Sequence, residues 1–418
     1  MIRVLPLTKA TAARLLANRG RRDVAAERIA ARILADVRRR GDAALFTWTR
    51  RLDGLRLTPA TLWVSRAEIH KAARQVDREF VRAIEHAARN IRRVAERQLP
   101  RPWRMAVEPG VRVGQRVTPL ETIGCYIPGG RFSLVSTLLM TAVPAQVAGV
   151  RRMVVACPRP NAALFAAAEM LGLGEIARVG GAQAIGAMAY GTKSFPRVDK
   201  IFGPGNRYVT AAKKLVSSQC AIDLPAGPTE VLVLAARGDA AFIAADLIAQ
   251  AEHDADAVAI LVTTSRRLAQ AVCAEIERQL HVLPARNPAR GSLRKNAAIL
   301  VADSPGAAVE FANQFAPEHL SLTGGEAALL EKIHAAGSVS LGPWSAQPIG
   351  DYASGTNHVL PTSGWARARG GLSAWDFVRC TSVQEISRAG LRRLAPVVAA
   401  LAEAENLVAH ARAVEVRL

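Results

Sequence analysis

The sequence predicts an α/β protein with two doubly wound halves facing one cleft, a helical region before them and a small helical segment after them. Three observations carry the prediction. From residue 118 short apolar runs alternate with segments of helical period, the pattern of strands buried in a parallel sheet and of the helices that return the chain between them. The alternation comes in two series, which sets one unit at 118–222 and a second at 223–365. The flanking stretches, 1–117 and 366–418, read as amphipathic helices.

A chain of 418 residues can bury a large core and divide into domains. Half of its residues are apolar and 22% charged, an ordinary globular composition. Lys and Arg outnumber Asp and Glu by 55 to 35, a net charge of +20. The basic residues are spread along the chain, many of them Arg in Ala-rich helices: Arg21, Arg22, Arg28, Arg32, Arg38, Arg39 and Arg40. No basic run carries interleaved Tyr or Phe for base stacking, which argues against nucleic acid. What remains is an Arg-rich background or a positive field that draws an anionic ligand such as a dinucleotide. Cys125, Cys157, Cys220, Cys273 and Cys380 lack CxxC spacing, so neither a disulfide framework nor a cysteine zinc site is indicated, and a reducing cytoplasm fits. The basic start has no long apolar core, so no secretory signal is expected, although its lack of acids faintly resembles a transit peptide. The longest apolar run is broken by Pro144 and Gln146 and is too short to span a bilayer.

Taken in order, Ala25, Ile29, Ile33, Leu34 and Val37 mark one N-terminal helix that stops at Gly41, and a second long helix closes at Pro100. His70 and His86 lie among charged neighbours on these helices as surface residues. TPLETIGCYIPGGR then reads as a strand and a Pro/Gly turn, with a helix from Leu134. RRMVVACP, EIARVGG and VDKIFGPGN are strands, and NAALFAAAEMLGLG, AQAIGAMAYG and RYVTAAKKLVSS are helices. Ligands of open parallel sheets sit beyond the carboxyl ends of the strands, so the loops at 126–130, 180–183 and 203–206 become candidate contacts. The GPGN turn of the last lets backbone approach a ligand and opens a helix whose free N–H groups suit an anion, or it is simply a tight turn.

The second unit opens with a Pro/Gly turn, the strand from Val231 to Ala235, a break at Gly238 and a helix with Ile243, Ala244, Leu247, Ile248 and Ala251 inward. Gln250 and His253 share a face at its end. They read either as donors to a metal or polar ligand, or as a solvated helix terminus. AVAILVTTS and NAAILVAD are further strands around the helix RRLAQAVCAEIERQL. Pro317 ends or kinks the next helix, and Glu318 and His319 follow at once. Such a pair suits general acid/base work, and equally a solvated surface. GDYASGTNHVLPTSG, with Asp351 and His358, has the composition of a functional loop. The tail is a helix carrying Glu405 and His410, then a short Val-rich strand. No close repeat relates the two halves.

Together the runs GCYIPGGR, VGGAQAIGAMAYGT, KIFGPGN, IDLPAGPTEVLV, AADLIAQAEHD, FAPEHLSL, GDYASGTNHVLPT and AENLVAHARAVEVRL resemble the histidinol dehydrogenase family, in family order and spacing over residues 20 to 418. The resemblance implies two incomplete Rossmann-like domains and a cytoplasmic, zinc-containing enzyme that oxidises L-histidinol to L-histidine with two NAD, through a retained aldehyde. It implies one Zn2+ per subunit held by Gln250, His253, Asp351 and His410. By the same resemblance Glu318 and His319 are the catalytic pair, and NAD contacts Tyr126, Gln183 and Asn206 in the first unit. Substrate would meet Thr229, Gln250, His253, His319, Asp351, His358, Glu405 and His410. It further implies an intertwined homodimer in which Glu405 and His410 act in the partner's site. No thiol is needed, and Cys125 is expected as a buried turn residue.

The chain departs from the family pattern in two places. Position 229 is Thr where Ser is usual, so the hydroxyl is kept beside an added methyl group. The N-terminal hundred residues match weakly and are rich in Arg. A related zinc- and NAD-dependent dehydrogenase of another polar alcohol is the nearest rival reading. A metal-dependent hydrolase would need no nicotinamide, and a nucleic-acid binder would show steep salt dependence without zinc.

Overall fold

The computed structural model describes residues 2–17, 19, 23–129, 134–224 and 227–418. Arg21 and Arg22 of the basic start, Gly130 at the end of the 126–130 loop, and Pro225 and Ala226 of the Pro/Gly turn lie outside the described residues.

Two parallel sheets hold the core. The five-stranded sheet runs in spatial order Ile176–Ala177, Arg152–Ala156, Thr122–Tyr126, Lys200–Phe202 and Ala221–Ile222. The helices Val135–Ala148, Ala162–Met170, Gly181–Tyr190 and Arg207–Val216 alternate with these strands, as the sequence predicts. Side chains leave a strand on alternate faces. Ile123 and Cys125 therefore enter one core with Leu138 and Leu164, while Tyr126 enters another with Ile185 and Met188. N-terminal helices close both faces: Val24–Arg40 places Ile33 and Val37 in the second core, and Arg78–Gln98 places Ile84 and Ile91 in the first.

The six-stranded sheet has the order Val4–Pro6, Ala298–Val301, Val258–Thr263, Glu230–Leu234, His319–Leu322 and Ser338–Leu341, again parallel throughout. Val231 and Val233 face a core with Leu247 and Val272, and Leu232 and Leu234 face one with Phe311 and Phe315. Strands covered on both sides read as unbroken apolar runs, which is why these were visible in the sequence. The helix Pro305–Phe315 ends at Ala316, in a left-handed conformation with φ 47°, just before Pro317.

Four strands correct the expectation of purely helical flanks. Val4–Pro6, within 1–117, joins the edge of the six-stranded sheet, with Val4 opposite Ile299. Val111–Pro119, from the same stretch, pairs antiparallel with Trp103–Glu108 on one side and with Val378–Ile386 from the 366–418 tail on the other. The outer strands of this three-stranded sheet are exposed along nearly their whole length. Without a buried face they carry no alternation of apolar and polar residues that a sequence reading could detect. The tail also ends differently: the short Val-rich strand expected there is the helix Val408–Glu415, which follows Arg388–Ala404. Among the described residues no helix is long and apolar enough to cross a membrane.

One buried ion pair fixes the turn after Lys200–Phe202. Lys213 and Asp223, each 3% exposed, meet at 2.5 Å. Asp223 also accepts from the Gly203 N–H at 2.8 Å, and Lys213 donates to the Gly203 carbonyl at 2.7 Å. Removing one partner leaves an uncompensated buried charge, at a cost of about 3–5 kcal/mol. Lys213→Met is therefore expected to lower the unfolding free energy by about that amount in a urea titration. An unchanged midpoint would show that the pair does not hold the turn.

Candidate active site

The strand His319–Leu322 lies parallel beside Glu230–Leu234, with His319 opposite Val231. That register sets the residues just ahead of the two strands side by side. Thr229 Oγ1 donates to Glu318 Oε2, and the Glu230 N–H donates to the same oxygen at 2.7 Å. The helix Ala240–Glu252 links Glu230–Leu234 to its parallel neighbour, so it must run back along the sheet. Its last turn brings Gln250 to the same edge, where Nε2 donates to Thr229 Oγ1. The result is one directed chain, amide to hydroxyl to carboxyl.

The cluster therefore stands at the amino edge of the six-stranded sheet, and the expectation of ligands beyond the carboxyl ends of strands does not describe it. The reason is local. Thr229 and Glu318 precede their strands, and Gln250 ends a returning helix, so all three are delivered to the amino edge.

The short helix Gln347–Tyr352 supplies the other wall. Asp351, 5% exposed, accepts from Gln347 Nε2 at 2.6 Å, and the same nitrogen stands 3.3 Å from His319 Nε2. His319 Nε2 lies 3.9 Å from Asp351 Oδ1. His358 Nδ1 donates to the Asp351 carbonyl at 2.9 Å, which places its proton on Nδ1 and leaves Nε2 with the lone pair. His253, exposed at the end of the Ala240–Glu252 helix, lies within electrostatic reach of both His319 and His358.

Burial governs the titration of the cluster. It pushes the Glu318 carboxyl up to about 8, reinforced by the Glu230 and Asp351 charges and opposed by the hydrogen bonds from Thr229 and Glu230. It lowers the His319 imidazole to about 4, reinforced by His253 and His358 and opposed by Asp351. His358 is lowered for the same first reason. At neutral pH a neutral base thus stands next to a carboxyl that holds its proton. Neighbouring groups split in this way by their surroundings mark acid/base chemistry.

Tyr126, Gln183 and Asn206 gather instead at the carboxyl edge of the five-stranded sheet. Tyr126 Oη accepts from the Gly181 N–H at 3.0 Å, and burial pushes its phenol up to about 12. Gln183 Nε2 donates to Asp53 at 3.0 Å, while its Oε1 is buried without a partner. Asn206 caps the helix Arg207–Val216, accepting from Tyr208 and Val209 at 3.0 and 3.1 Å. Gly203, at φ +111°, approaches so closely that a Cβ there would lie 2.1 Å from the Tyr126 carbonyl oxygen, so only glycine fits.

Glu405 and His410 stand apart from the cluster, exposed on the two packed tail helices. Among the described residues no group of three or more His, Cys, Asp and Glu is placed to hold a metal ion. Gln250 Oε1 and Gln347 Oε1 are buried without hydrogen-bond partners. Three residues here were missed by the sequence reading. Gln347 stands four positions before Asp351 on a helix, a spacing that was visible but carried no chemistry of its own. Glu230 is 2% exposed and held by Arg19, an ion pair that only the folded chain brings together.

The sequence profile described as histidinol dehydrogenase matches residues 17–418. The chain is 47% identical over 397 residues to a histidinol dehydrogenase of Methanosarcina barkeri, covering 92% of this chain and 90% of that protein. It is 48% identical over 396 residues to one from Geobacillus kaustophilus, covering 92% of each. The crystal structure of histidinol dehydrogenase from Elizabethkingia anophelis superposes with a TM-score of 0.94 at 38% identity, covering 100% of this chain and 98% of that one. The chain belongs to the histidinol dehydrogenase family.

Proposed function

We propose that this chain oxidises L-histidinol to L-histidine through L-histidinaldehyde, with two NAD and one zinc ion, at the end of histidine biosynthesis in the cytoplasm. The observation that carries the reading is the convergence of Thr229, Gln250, Glu318, His319, Asp351 and His358 at one sheet edge.

Zinc requires nitrogen and oxygen donors with free lone pairs. Gln250 Oε1 is a buried oxygen with no hydrogen-bond partner, His253 follows it on the same helix end, and Asp351 adds a carboxylate. These residues fit zinc and would hold it together with His410 from a second copy of the chain. Zinc, when bound, supplies a Lewis-acidic anchor for the amino and imidazole nitrogens of the substrate. NAD, when bound near Tyr126, Gln183 and Asn206, accepts hydride. The carboxyl edge of the five-stranded sheet and the amino edge of the six-stranded one would then face a single cleft. Support comes from Asn357, next to His358, whose Nδ2 donates to the Met140 carbonyl at 2.7 Å and so ties the two sheets' surroundings together.

His319 takes the hydroxyl proton as the alcohol carbon loses its first hydride. Its 3.3 Å contact with Gln347 is long, so the lone pair is available, and Asp351 stabilises the imidazolium that results. Glu318, once ionised, accepts a proton from the water that adds to the aldehyde carbon. His319 releases its first proton to solvent before the second oxidation; the hydrated carbon then loses a second hydride, and the neutral His319 takes the proton of the hydrate hydroxyl. Thr229 keeps Glu318 aimed through both steps.

A second copy also accounts for the exposed apolar surface. Trp103, Met105 and Val107 on the three-stranded sheet, and Val397, Leu401 and Val408 on the tail, are 48–76% exposed, a density of large apolar groups that marks an interaction face. A homodimer would cover them and carry Glu405 and His410 into the neighbouring site.

Two NADH per L-histidinol consumed are expected from the purified protein, abolished by a zinc chelator and restored by zinc. Absence of NADH from a folded, zinc-loaded protein would move the reading to a dehydrogenase of another polar alcohol. His319→Ala is expected to slow both oxidations by about 10²–10⁴-fold, whereas Glu318→Gln slows chiefly the aldehyde step. Equal slowing of both half-reactions by Glu318→Gln would end that division of roles. Finally, co-expressed His319→Ala and His410→Ala chains, each inactive alone, should regain activity as a mixed dimer, because one site then holds both histidines. No recovery would place His410 in its own chain's site.

A further inference from the structure

Gln347 makes every contact expected of a residue that sets the geometry of His319, and the reading above gives it no role. It opens the helix Gln347–Tyr352 and is 2% exposed. The helix it opens packs against the Ala240–Glu252 helix. Its side-chain nitrogen donates to Asp351 Oδ2 at 2.6 Å and stands 3.3 Å from His319 Nε2. Its oxygen is buried with no partner.

The chemistry of the amide makes this arrangement directional. An amide nitrogen has two protons and no lone pair to offer. The reversed amide would set its oxygen against the Asp351 carboxylate, two acceptors in contact inside the protein. Asp351 therefore fixes the nitrogen on its own side, and the second proton points to His319. A ring nitrogen facing a donor must be the acceptor, so Nε2 carries the lone pair and Nδ1 the proton.

We infer that Gln347 is a positioning residue whose amide keeps His319 Nε2 unprotonated and holds Asp351 beside it. The inference rests on His319 acting as the base, since this tautomer is the one that presents a lone pair on the Asp351 side. A Gln347→Glu side chain would set a second carboxyl against Asp351 and offer His319 an acceptor. A Gln347→Met side chain of similar length would offer neither partner a proton.

The test is the tautomer of His319, read by long-range proton–nitrogen correlation in the zinc-loaded, full-length protein with ring-labelled histidine. The signal is assigned by its loss in His319→Gln. Wild type should show Nε2 in the unprotonated range and Nδ1 protonated. Gln347→Met should give a mixture of tautomers, and Gln347→Glu should move the proton to Nε2. The kcat for histidinol should fall about 10- to 100-fold in both variants, as for other partners that orient a working side chain, with KM changed far less. The same His319 tautomer in all three proteins, or a protonated Nε2 in wild type, would overturn the inference. Gln347→Glu keeps the shape of the native side chain, so it decides the matter alone if Gln347→Met does not fold. If wild type did not oxidise histidinol, the proposed substrate would fall, while the tautomer comparison would still decide the role of Gln347.

Discussion

A carboxyl group taken out of water must be hydrogen-bonded or protonated, and Glu318, 6% exposed at the edge of a parallel sheet, is the group around which this constraint is met. One of its oxygens receives both the Thr229 hydroxyl and the Glu230 N–H. Neither donor could reach it unless His319–Leu322 and Glu230–Leu234 were paired in the observed register. A shift by one residue would turn Val231 and Val233 from one core to the other and take the Glu230 N–H away from Glu318. The polar cluster and the hydrophobic core are thus specified by the same strand pairing.

Beneath this edge lies a second buried charge. Glu230 is held by Arg19, whose guanidinium also stacks over the Phe315 ring at 3.6 Å, and the Ser363 N–H donates to Glu230 at 3.2 Å. Burial raises the Glu230 carboxyl, and the Arg19 charge opposes that rise. A buried ion pair of this sort adds little to stability, because desolvation offsets the attraction. Its consequence here is electrostatic. An unpaired Glu230 charge would push the neighbouring Glu318 further from ionisation, so an N-terminal residue far away in sequence tempers the acidity of the site.

The two sheets divide the labour by opposite edges. The five-stranded sheet offers its carboxyl edge, where Gly203 lets the backbone approach Tyr126 and the Lys213–Asp223 pair stiffens the turn. The six-stranded sheet offers its amino edge. The three-stranded sheet and the tail helices leave large apolar side chains in solvent.

The helices and buried strands could be read from the amino-acid order because each records its own environment. EVLVL and VAILVT are continuous apolar runs, and the N-terminal helices repeat their apolar residues at 3.6-residue spacing. Glu318, His319, Gln250 and Asp351 could be named because the runs around them resemble a family; by residue type and spacing alone a solvated surface was equally open to them. The exposed three-stranded sheet could not be read, because its pairing joins residues 111–119 to 378–386 and its outer strands have no buried face to pattern them. Nor could the amino-edge position of the cluster, the Arg19–Glu230 pair or the contacts of Gln347. Each of these depends on which strands lie side by side and where a returning helix ends. Those are relations between segments distant in the chain, and they exist only once the hydrophobic cores have brought the segments together.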